Sequence, residues 1–370
     1  MSKILITGGA GFIGSNLVRY LVRRGHQVLN VDRLTYAGNL RSLVDVENEP
    51  NYRFVKVDIV DAESIRQALV AFAPDAVMHL AAESHVDRSI DGPRPFVETN
   101  VCGTMNLLQA ALAHWRTLDG PRAERFRFLH VSTDEVFGSL GPEGLFTERS
   151  RYDPHSPYSA SKAASDHLAR AWKETYGLPV VVTHCSNNYG PYQFPEKLVP
   201  LVILKCLRGE PIPVFGDGEN VRDWLYVEDH CEALAAVLAG GRPGETFNIG
   251  GNNPLRNIDL VRTLCGIMDG LRPSEDGSPH ETLIRFVADR PGHDRRYAVD
   301  SGRIRDRLGW QPKQDPASGF RETVRWYLEN ADWWQSILSG SYRLERLGQP
   351  VARQPAVGDE GSILSDPQGQ

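Results

Sequence analysis

Short apolar runs alternate with segments of helical periodicity through the first half of the chain. Apolar runs occupy Lys3–Thr7, Gln27–Asp32 and residues 52–57, 76–80, 126–132 and 180–184. Helical spacing of apolar residues marks residues 12–24, 62–72, 97–115 and 157–176, which lie between those runs. Strands that alternate with helices form parallel sheets covered on both faces, so the pattern predicts an α/β fold with a Rossmann-type doubly wound sheet.

Size, charge and cysteine content exclude several classes of protein. The 370 residues are 41% apolar, which suffices for a large buried core. The formal charge of −6 disfavours nonspecific binding to nucleic acid or to an anionic membrane. No signal-peptide pattern precedes Lys3, and no apolar run approaches the roughly 18 residues of a membrane span. The five cysteines are scattered and include no C-x-x-C pair, which predicts reduced thiols in a cytoplasmic protein.

Three glycines follow the first apolar run at the spacing of a dinucleotide-binding turn. Segment 7–14 reads TGGAGFIG and places Gly8, Gly11 and Gly14 between a strand and a helix. Glycines permit a tight turn and let a pyrophosphate approach the backbone, while the helix N-terminus offers free N–H groups. Such turns are common, but the strand-to-helix context makes a bound dinucleotide the favoured interpretation.

The residues that end the next strands indicate which dinucleotide binds. Asp32 ends the second strand, where a carboxylate can bind the ribose diol and repel a 2′-phosphate, so NAD is favoured over NADP. Arg33 complicates this prediction because a neighbouring arginine can accept that phosphate, and Asp32 could instead cap a helix or loop. We expect Asp58 and Ile59 to flank the adenine and residues 80–82 to pass close to the cofactor.

The sequence pattern changes near residue 191, where the alternation of apolar runs with helical segments weakens and proline and glycine become frequent. We expect residues 1–190 to form the NAD-binding domain and residues 191–340 to form a smaller mixed α/β lobe that binds the substrate and returns to the sheet. Since no linker-like stretch separates the two, they should share a core. Residues 348–370 are polar and almost free of aromatic residues, so we expect a mobile tail there.

Tyr158 and Lys162 are spaced one helical turn apart, so their side chains should meet on one face of the helix. An ammonium group beside a phenol favours the phenolate, and we therefore expect Lys162 to lower the pKa of Tyr158. Such a tyrosine can take the proton of an alcohol while the alcohol carbon gives hydride to NAD. A surface Tyr and Lys at this spacing occur often by chance, but the glycine turn and Asp32 favour the functional interpretation.

Two adjacent acidic residues, Asp134 and Glu135, follow the fifth apolar run, at the carboxyl edge of the sheet where ligands bind. Elimination of water needs an acid for the departing hydroxyl and a base for the neighbouring proton. Two carboxyl groups in unlike environments can divide these roles, although the sequence does not say which takes which. The same pair could also be a solvated acidic turn.

The chain resembles the extended short-chain dehydrogenase/reductases from Lys3 to about Leu338, and among them it most resembles the family of dTDP-glucose 4,6-dehydratases. The resemblance is carried by segments 7–14, 32–39 (DRLTYAGN), 81–89 (AAESHVDRS), 132–138 (STDEVFG), 158–162 (YSASK), 186–191 (SNNYGP) and 290–295 (RPGHDR). Phe137 departs from the family, which usually has tyrosine there.

The resemblance implies the roles of individual residues. Asp134 is the implied acid, Glu135 the implied base, and Thr133 the residue that orients the C4 oxygen. The implied cofactor contacts are Gly8, Gly11, Phe12, Ile13, Gly14, Asp32, Arg33, Leu34, Thr35, Asp58, Ile59, Leu80, Ala81, Ala82, Thr99, Tyr158, Lys162 and Asn188. The implied substrate contacts are Ser84, Thr133, Asn187, Glu196, Lys197, Pro213, Val214, Phe215, Arg222, Asn257, Arg290 and His293.

The implied substrate is a nucleoside-diphosphate sugar, dTDP-glucose, and the implied reaction is oxidation at C4, loss of water across C5 and C6, and reduction at C6. Among these residues Arg222, Arg290 and Lys197 are the candidate cations for the pyrophosphate, although Arg222 and the acidic residue after it could form a surface ion pair. UDP- or CDP-glucose remains an alternative substrate. No cluster of His, Cys and Asp has the spacing of a metal site.

Three other functions remain open. A nucleotide-sugar 4-epimerase shares the glycine turn and the Tyr/Lys pair, and a decarboxylase of nucleotide-linked uronic acids is a further possibility; the pair Asp134 and Glu135 argues against both. A catalytically silent NAD-binding regulator usually loses the tyrosine or the lysine, and both are present here. The apolar segments 97–115 and 157–176 predict the helices of a homodimer interface, unless they are buried against their own sheet.

Overall fold

The computed structural model describes residues 1–339. Its central sheet contains β1 (Lys3–Thr7), β2 (Gln27–Asp32), β3 (Tyr52–Lys56), β4 (Ala76–His79), β5 (Arg127–Thr133), β6 (Val180–Cys185) and β10 (Thr246–Ile249). These seven strands are parallel and lie in the order β10-β6-β5-β4-β1-β2-β3. The predicted doubly wound Rossmann-type sheet is therefore confirmed.

Helices cover both faces of this sheet and surround the smaller lobe. They are α1 (Phe12–Arg23), α2 (Ala62–Phe72), α3 (Val86–Asp91), α4 (Arg94–Phe96), α5 (Thr104–Trp115), α6 (Gly120–Arg125), α7 (Pro157–Tyr176), α8 (Leu198–Arg208), α9 (Val227–Gly240), α10 (Asn257–Leu271), α11 (Gly302–Leu308), α12 (Pro316–Glu329) and α13 (Ala331–Leu338). Short 3₁₀ turns occupy Leu40–Leu43, Asp134–Phe137 and His280–Leu283. None of the helices within residues 1–339 is both long and apolar enough to cross a membrane.

One helix differs from its prediction. The segment 97–115 begins as a π-helix at Val97–Gly103 and becomes α-helical only in α5. A Cβ added to Gly103 would lie 2.6 Å from Cγ1 of Ile59, so the glycine lets the backbone of the π-turn pass Ile59 closely. Helical periodicity alone does not distinguish a π-turn from an α-turn over one or two turns.

The segment beyond residue 190 contributes both to the large sheet and to a lobe of its own. β10 extends the large sheet beside β6, and α9 packs on α1 in a core that contains Leu17, Leu21, Leu234 and Val237. The lobe itself has a three-stranded sheet, a two-stranded sheet and a separate apolar core. Its strands are β7 (Asn187–Tyr189), β8 (Ile212–Phe215), β9 (Val221–Tyr226), β11 (Pro254–Arg256) and β12 (Ile284–Val287).

Residues beyond 190 contribute both to a core shared with the large sheet and to a core of the lobe, and the division into residues 1–190 and 191–340 stays a prediction. The tail predicted for residues 348–370 lies outside the described residues. What matters for the site is that the strand order reverses between β1 and β4. Ligands of doubly wound sheets bind at the carboxyl edge beside such a reversal.

Candidate active site

The glycine turn after β1 leaves no room for most side chains. Gly8 has φ +75°, and a Cβ added to it would lie 2.6 Å from the Ala81 nitrogen. A Cβ on Gly14 would lie 2.0 Å from the Gly8 oxygen, whereas one on Gly11 would meet only that oxygen, at 3.4 Å. The turn is thus closed towards the sheet and open at Gly11, where α1 begins. This shape fits a pyrophosphate at the helix N-terminus.

Asp32 is held by the backbone around it. Its Oδ2 accepts a hydrogen bond from the Ala10 N–H (3.0 Å), and its Oδ1 accepts one from the Leu34 N–H (2.8 Å). Burial raises the pKa of Asp32, and the two N–H donors oppose that shift. Each carboxylate oxygen can accept a second hydrogen bond, so the group can still bind a ribose diol.

Arg33 is engaged by two carboxylates. Its Nη1 lies 3.0 Å from Asp58 Oδ2, and its Nη2 lies 2.7 Å from Glu83 Oε1. These contacts raise the pKa of Arg33 against the effect of its partial burial. A guanidinium that already binds two anions is poorly placed to accept a 2′-phosphate, so the ambiguity left by the sequence is resolved in favour of NAD.

One cleft at the carboxyl edge of the sheet gathers most of the predicted site. Of the expected cofactor residues, only Leu34 does not line it. Thr133, Asp134, Glu135, Ser84, Asn187, Glu196 and Lys197 line the same cleft. The remaining expected substrate residues do not line it: Pro213, Val214, Phe215, Arg222, Asn257, Arg290 and His293. The glycine turn and the two acidic residues are therefore parts of one continuous cavity.

The Tyr158–Lys162 pair lies at the bottom of this cleft, on the first turns of α7. Ser156 caps that helix and fixes its start, and Thr133 at the end of β5 lines the same cleft. Lys162 Nζ donates a hydrogen bond to the Val131 carbonyl oxygen (2.9 Å). Both side chains are more than nine-tenths buried.

The sequence predicted that Lys162 lowers the pKa of Tyr158, but burial has the larger effect in this structure. Burial raises that pKa well above its usual value, and the nearby Glu135 carboxylate raises it further. Burial also lowers the pKa of Lys162, and the anion Asp166 opposes that change. Helical spacing predicted that the side chains of Tyr158 and Lys162 lie on one face, but it did not predict how completely both are buried.

A buried polar network supports Lys162 from below. Asp166, one turn further along α7, is completely buried and accepts hydrogen bonds from four side chains. The donors are His130 (2.9 Å), Ser132 (2.9 Å), Tyr152 (2.9 Å) and His184 (3.1 Å). These bonds hold the pKa of Asp166 far below its usual value in spite of burial. The network holds α7 against β5 and β6 and thereby positions Lys162, which lies one turn before Asp166.

Asp134 and Glu135 begin a 3₁₀ turn directly after β5, so the end of the strand aims both into the cleft. Burial raises the pKa of Asp134 well above its usual value, and the anions Glu135 and Asp223 raise it further. Burial also raises the pKa of Glu135, but three cations lower it. Those cations are Arg290, Arg222 and Lys197. Among the described residues, Asp134 Oδ2 has no hydrogen-bond partner.

The two candidate phosphate-binding arginines lie beside this acidic pair. Arg222 is buried, stacks over the Tyr297 ring at 4.1 Å and donates to the Asp294 carbonyl oxygen (2.8 Å). The surface ion pair that the sequence left open for Arg222 is therefore excluded. Arg290 Nη1 lies 2.9 Å from Asp87 Oδ1. His293 is buried, which lowers its pKa to about 4, and its Nδ1 lies 2.6 Å from Asp289 Oδ1.

Several site residues were missed from the sequence. Glu83 lines the cleft and holds Arg33, and Asn100 fixes Glu83 through its backbone N–H (2.8 Å) and carbonyl oxygen (2.9 Å). His230 Nδ1 lies 2.9 Å from Asn188 Oδ1 and orients that amide. Tyr36 Oη donates to Glu196 Oε1 (3.0 Å). Glu83 and Tyr36 lie inside the motifs described above, but no local spacing indicates a partner far along the chain.

Free thiols and candidate metal ligands contribute little to the site. All five cysteines are free, and four of them are buried. Cys185 lines the cleft, but burial raises its pKa to about 12, so it is a thiol rather than a thiolate. Within residues 1–339, no group of three or more His, Cys, Asp or Glu side chains could hold a metal ion.

The strand order and the contents of the cleft together define the class of the protein. A tyrosine and a lysine one turn apart stand at the carboxyl edge of a dinucleotide-binding sheet, and the chain continues into a second lobe. This is the architecture of an extended short-chain dehydrogenase/reductase, as the sequence indicated.

Comparison with known proteins narrows this class. The sequence model of the GDP-mannose 4,6 dehydratase family matches residues 5–323. The dTDP-glucose 4,6-dehydratase of Xanthomonas campestris pv. campestris (strain B100) is 58% identical over 351 residues, which are 95% of this chain and 100% of the relative. That of Neisseria meningitidis serogroup B is 58% identical over 352 residues, which are 94% of this chain and 99% of the relative.

A solved structure agrees with these relatives. The crystal structure of the dTDP-glucose 4,6-dehydratase DesIV from Streptomyces venezuelae, which has NAD bound, matches with a TM-score of 0.82 and 48% identity. The match covers 90% of this chain and 99% of that one. The chain therefore belongs to the GDP-mannose 4,6 dehydratase family, and the resemblance to the dTDP-glucose 4,6-dehydratases is confirmed over nearly its whole length.

Proposed function

We propose that the protein is a dTDP-glucose 4,6-dehydratase that converts dTDP-glucose to dTDP-4-keto-6-deoxyglucose and water. The observation that carries this conclusion is the presence of Tyr158, Lys162, Asp134 and Glu135 in one cleft beside the glycine turn. The first two residues suit an alcohol oxidation and the second two suit the loss of water. A 4-epimerase or a decarboxylase needs no adjacent acidic pair.

Bound NAD would supply an acceptor for the hydride of the sugar C4 and would return that hydride to C6. The residues that would hold it are the glycine turn, Asp32, Tyr158 and Lys162, and the open space at Gly11 fits its pyrophosphate. Because hydride is taken from and given to the same sugar, no net redox change occurs.

The side chains of the cleft then have separate tasks. Tyr158 removes the proton of the C4 hydroxyl, and Thr133, which lines the same cleft, orients the C4 oxygen. The C4 ketone makes the C5 proton acidic. Glu135 removes that proton, Asp134 protonates the departing C6 hydroxyl, and Glu135 later returns a proton to C5.

The electrostatics of the acidic pair support this order of roles. Asp134 has two anionic neighbours and is buried, so it keeps its proton and can act as the acid. Glu135 faces Arg290, Arg222 and Lys197, so it loses its proton more readily and can act as the base. The arginines also supply the positive charge that a pyrophosphate requires. We propose that Ser84, Asn187 and Glu196, which line the cleft, contact the nucleotide sugar. Asn257, His293 and residues 213–215 lie outside the lining of the cleft, and their contacts with the substrate stay predictions.

The experiment is to incubate the purified protein separately with dTDP-, UDP- and CDP-glucose and to follow the alkali-absorbing 4-keto product. We expect turnover with dTDP-glucose above the other two. Substrate labelled with deuterium at C4 should carry that label in the C6 methyl group of the same molecule. Absence of the keto product, or loss of the label to solvent, would reject the proposed function.

A homodimer and a cytoplasmic location are further proposals. The outer face of α7 carries Ala160, Ala164, Leu168 and Ala171, all of which are partly or fully exposed in the single chain, and Val97 on the adjacent π-helix is 51% exposed. A small-residue face of this kind allows helices of two copies to pack closely. Sedimentation at micromolar concentration should show a dimer. The five free thiols favour a reducing compartment.

A further inference from the structure

Residues 191–197 join the two halves of the cleft. Four members of this segment line the cleft: Gln193, Phe194, Glu196 and Lys197. The segment is attached to the glycine-turn helix α1 at two points. Asn16 Nδ2 donates to the Pro191 carbonyl oxygen (3.0 Å), and the Arg19 guanidinium lies over the Tyr192 ring at 4.4 Å. Tyr192 has φ +67°, a backbone conformation that such tertiary contacts must hold in place.

A third attachment comes from the loop that follows Asp32. Tyr36 lies in that loop between Thr35 and Ala37, which line the cofactor part of the cleft. Its hydroxyl donates to Glu196 Oε1 at 3.0 Å. The ring is held by the Arg88 guanidinium above it (3.8 Å) and by the edge of Phe194 (5.4 Å between ring centroids). One hydroxyl therefore connects the adenosine side of the cleft with a proposed sugar ligand.

Glu196 is suited to receive both Tyr36 and a sugar. Its side chain is only 2% exposed, and burial raises its pKa, which Lys197, Arg88 and the Tyr36 hydrogen bond oppose. Among the described residues, its second oxygen, Oε2, accepts no hydrogen bond, although His85 Nε2 lies 3.3 Å away and Arg88 Nε lies 3.7 Å away in an ion pair. With Oε1 committed to Tyr36, Oε2 is the atom left to accept a hydrogen bond from a hydroxyl in the cleft.

We propose that Tyr36 is a positioning residue that couples cofactor retention to sugar binding through Glu196. This inference rests on the proposed function, because it takes Glu196 as a sugar ligand. A sugar on Glu196 immobilises the Tyr36–Glu196 bond and with it the loop that follows Asp32, so the cofactor leaves more slowly. By linkage, the factor by which the sugar raises the equilibrium affinity for the cofactor is also the factor by which the cofactor raises the affinity for the sugar. The coupling suits a cycle in which losing the reduced cofactor midway would leave the sugar oxidised.

The test measures NADH release by fluorescence with and without saturating dTDP-glucose. NADH and dTDP-glucose cannot react with each other, because the reduced cofactor accepts no hydride from the sugar. In the unchanged protein we expect dTDP-glucose to slow release about 5-fold or more, the usual lower range of such couplings. Tyr36→Phe, which keeps the stacked ring, should reduce that factor to near one and raise the KM for dTDP-glucose more than it lowers kcat.

A matched control is Tyr20→Phe. Tyr20 is also half-buried, lies on α1 and has the Arg24 guanidinium over its ring at 3.4 Å, but it does not line the cleft. In Tyr20→Phe, dTDP-glucose should slow NADH release by the same factor as in the unchanged protein. In a Glu196→Ala background, Tyr36→Phe should have no further effect, which separates action through Glu196 from a general loosening of the loop.

Two results would overturn the coupling. The first is that dTDP-glucose does not slow NADH release from the unchanged protein, although that protein converts dTDP-glucose. The second is that dTDP-glucose slows NADH release from Tyr36→Phe by the same factor as from the unchanged protein. Failure of the unchanged protein to convert dTDP-glucose rejects the proposed function instead, so the two failures are distinguishable. Circular dichroism of each variant checks that the fold is kept.

Discussion

Asp134 and Glu135 are adjacent in sequence, but anions predominate around the Asp134 carboxyl group and cations around that of Glu135. Asp134 is 1% exposed and has the anions Glu135 and Asp223 as neighbours, whereas Glu135 is near three cations. Burial raises the pKa of both groups; Arg222 opposes the rise at Asp134, whereas Arg290, Arg222 and Lys197 all oppose it at Glu135. Two neighbouring residues of similar chemistry can therefore serve as acid and base at the same pH.

Glu135→Gln should permit C4 oxidation but stop the reaction before water is lost. The amide cannot accept the C5 proton, and removal of a general base costs about 100-fold or more. Rapid mixing should show reduced nicotinamide accumulating to the concentration of the enzyme. Glu174→Gln, at an exposed position, serves as the control. Exchange of the C5 hydrogen with solvent at the native rate would show that another group is the base.

Asp134→Asn should block the reaction after removal of the C5 proton, one step later than Glu135→Gln. Glu135 would still remove the C5 proton, so exchange of that hydrogen with solvent should persist while water loss slows by about 100-fold. Mass spectrometry of recovered dTDP-glucose after incubation in heavy water measures the exchange. A variant that loses exchange and water loss together would contradict the division of roles between the two carboxyl groups.

Tyr158→Phe should abolish the first oxidation, because the remaining ring cannot take the proton of the C4 hydroxyl. A single turnover followed by nicotinamide absorbance should show at least about a 100-fold slower rise. Normal formation of reduced nicotinamide would exclude the role assigned to Tyr158.

The parts of the site that local spacing determines were predictable from the sequence. The glycine turn depends on three residues within one segment, and Tyr158 and Lys162 depend on one helical turn. The strand-end positions of Asp32 and Asp134 follow from the alternation of strands and helices. In each case a short stretch of chain suffices, because parallel strands align their carboxyl ends at one edge of the sheet.

The parts that depend on distant residues were not predictable. Arg33 is held by Asp58 and by Glu83, 25 and 50 residues further along, and no periodicity links them. The direction of the Tyr158 pKa depends on the burial of its side chain, which helical spacing does not reveal. Tyr36 and Glu196 lie 160 residues apart. Such pairings arise from the assembled fold and therefore require the structure.

The two ion pairs of Arg33 predict which substitutions would shift the cofactor preference from NAD towards NADP. Asp32→Ser removes the repulsion of a 2′-phosphate, but Arg33 stays bound to Asp58 and Glu83, so this change alone should improve NADP binding only slightly. Combining it with Glu83→Gln releases one guanidinium nitrogen. The double variant should exceed the product of the two single effects about threefold or more, a normal coupling for residues in contact. Affinities of apo protein for NAD and NADP give the ratio, and simple additivity would refute the account.

His230 predicts a pH dependence of stability that does not involve the reaction. Its ring is completely buried, its Nδ1 lies 2.9 Å from Asn188 Oδ1, and burial lowers its pKa from 6.5 to about 3. Between these values the unfolded chain binds a proton that the folded chain does not. Stability from this group is therefore complete above pH 6.5 and decreases as the pH falls, by about 1.4 kcal/mol per pH unit.

His230→Asn should remove this contribution, because an amide nitrogen can donate to Asn188 without titrating. Denaturant unfolding at several pH values between 5 and 7, at fixed cofactor content, should give a shallower decline for the variant than for the unchanged protein. His167→Asn, at an exposed position, should keep the native slope. Parallel curves for the unchanged protein and His230→Asn would mean that the imidazole gains its proton in the folded state, and the orientation of Asn188 would then change with pH as well.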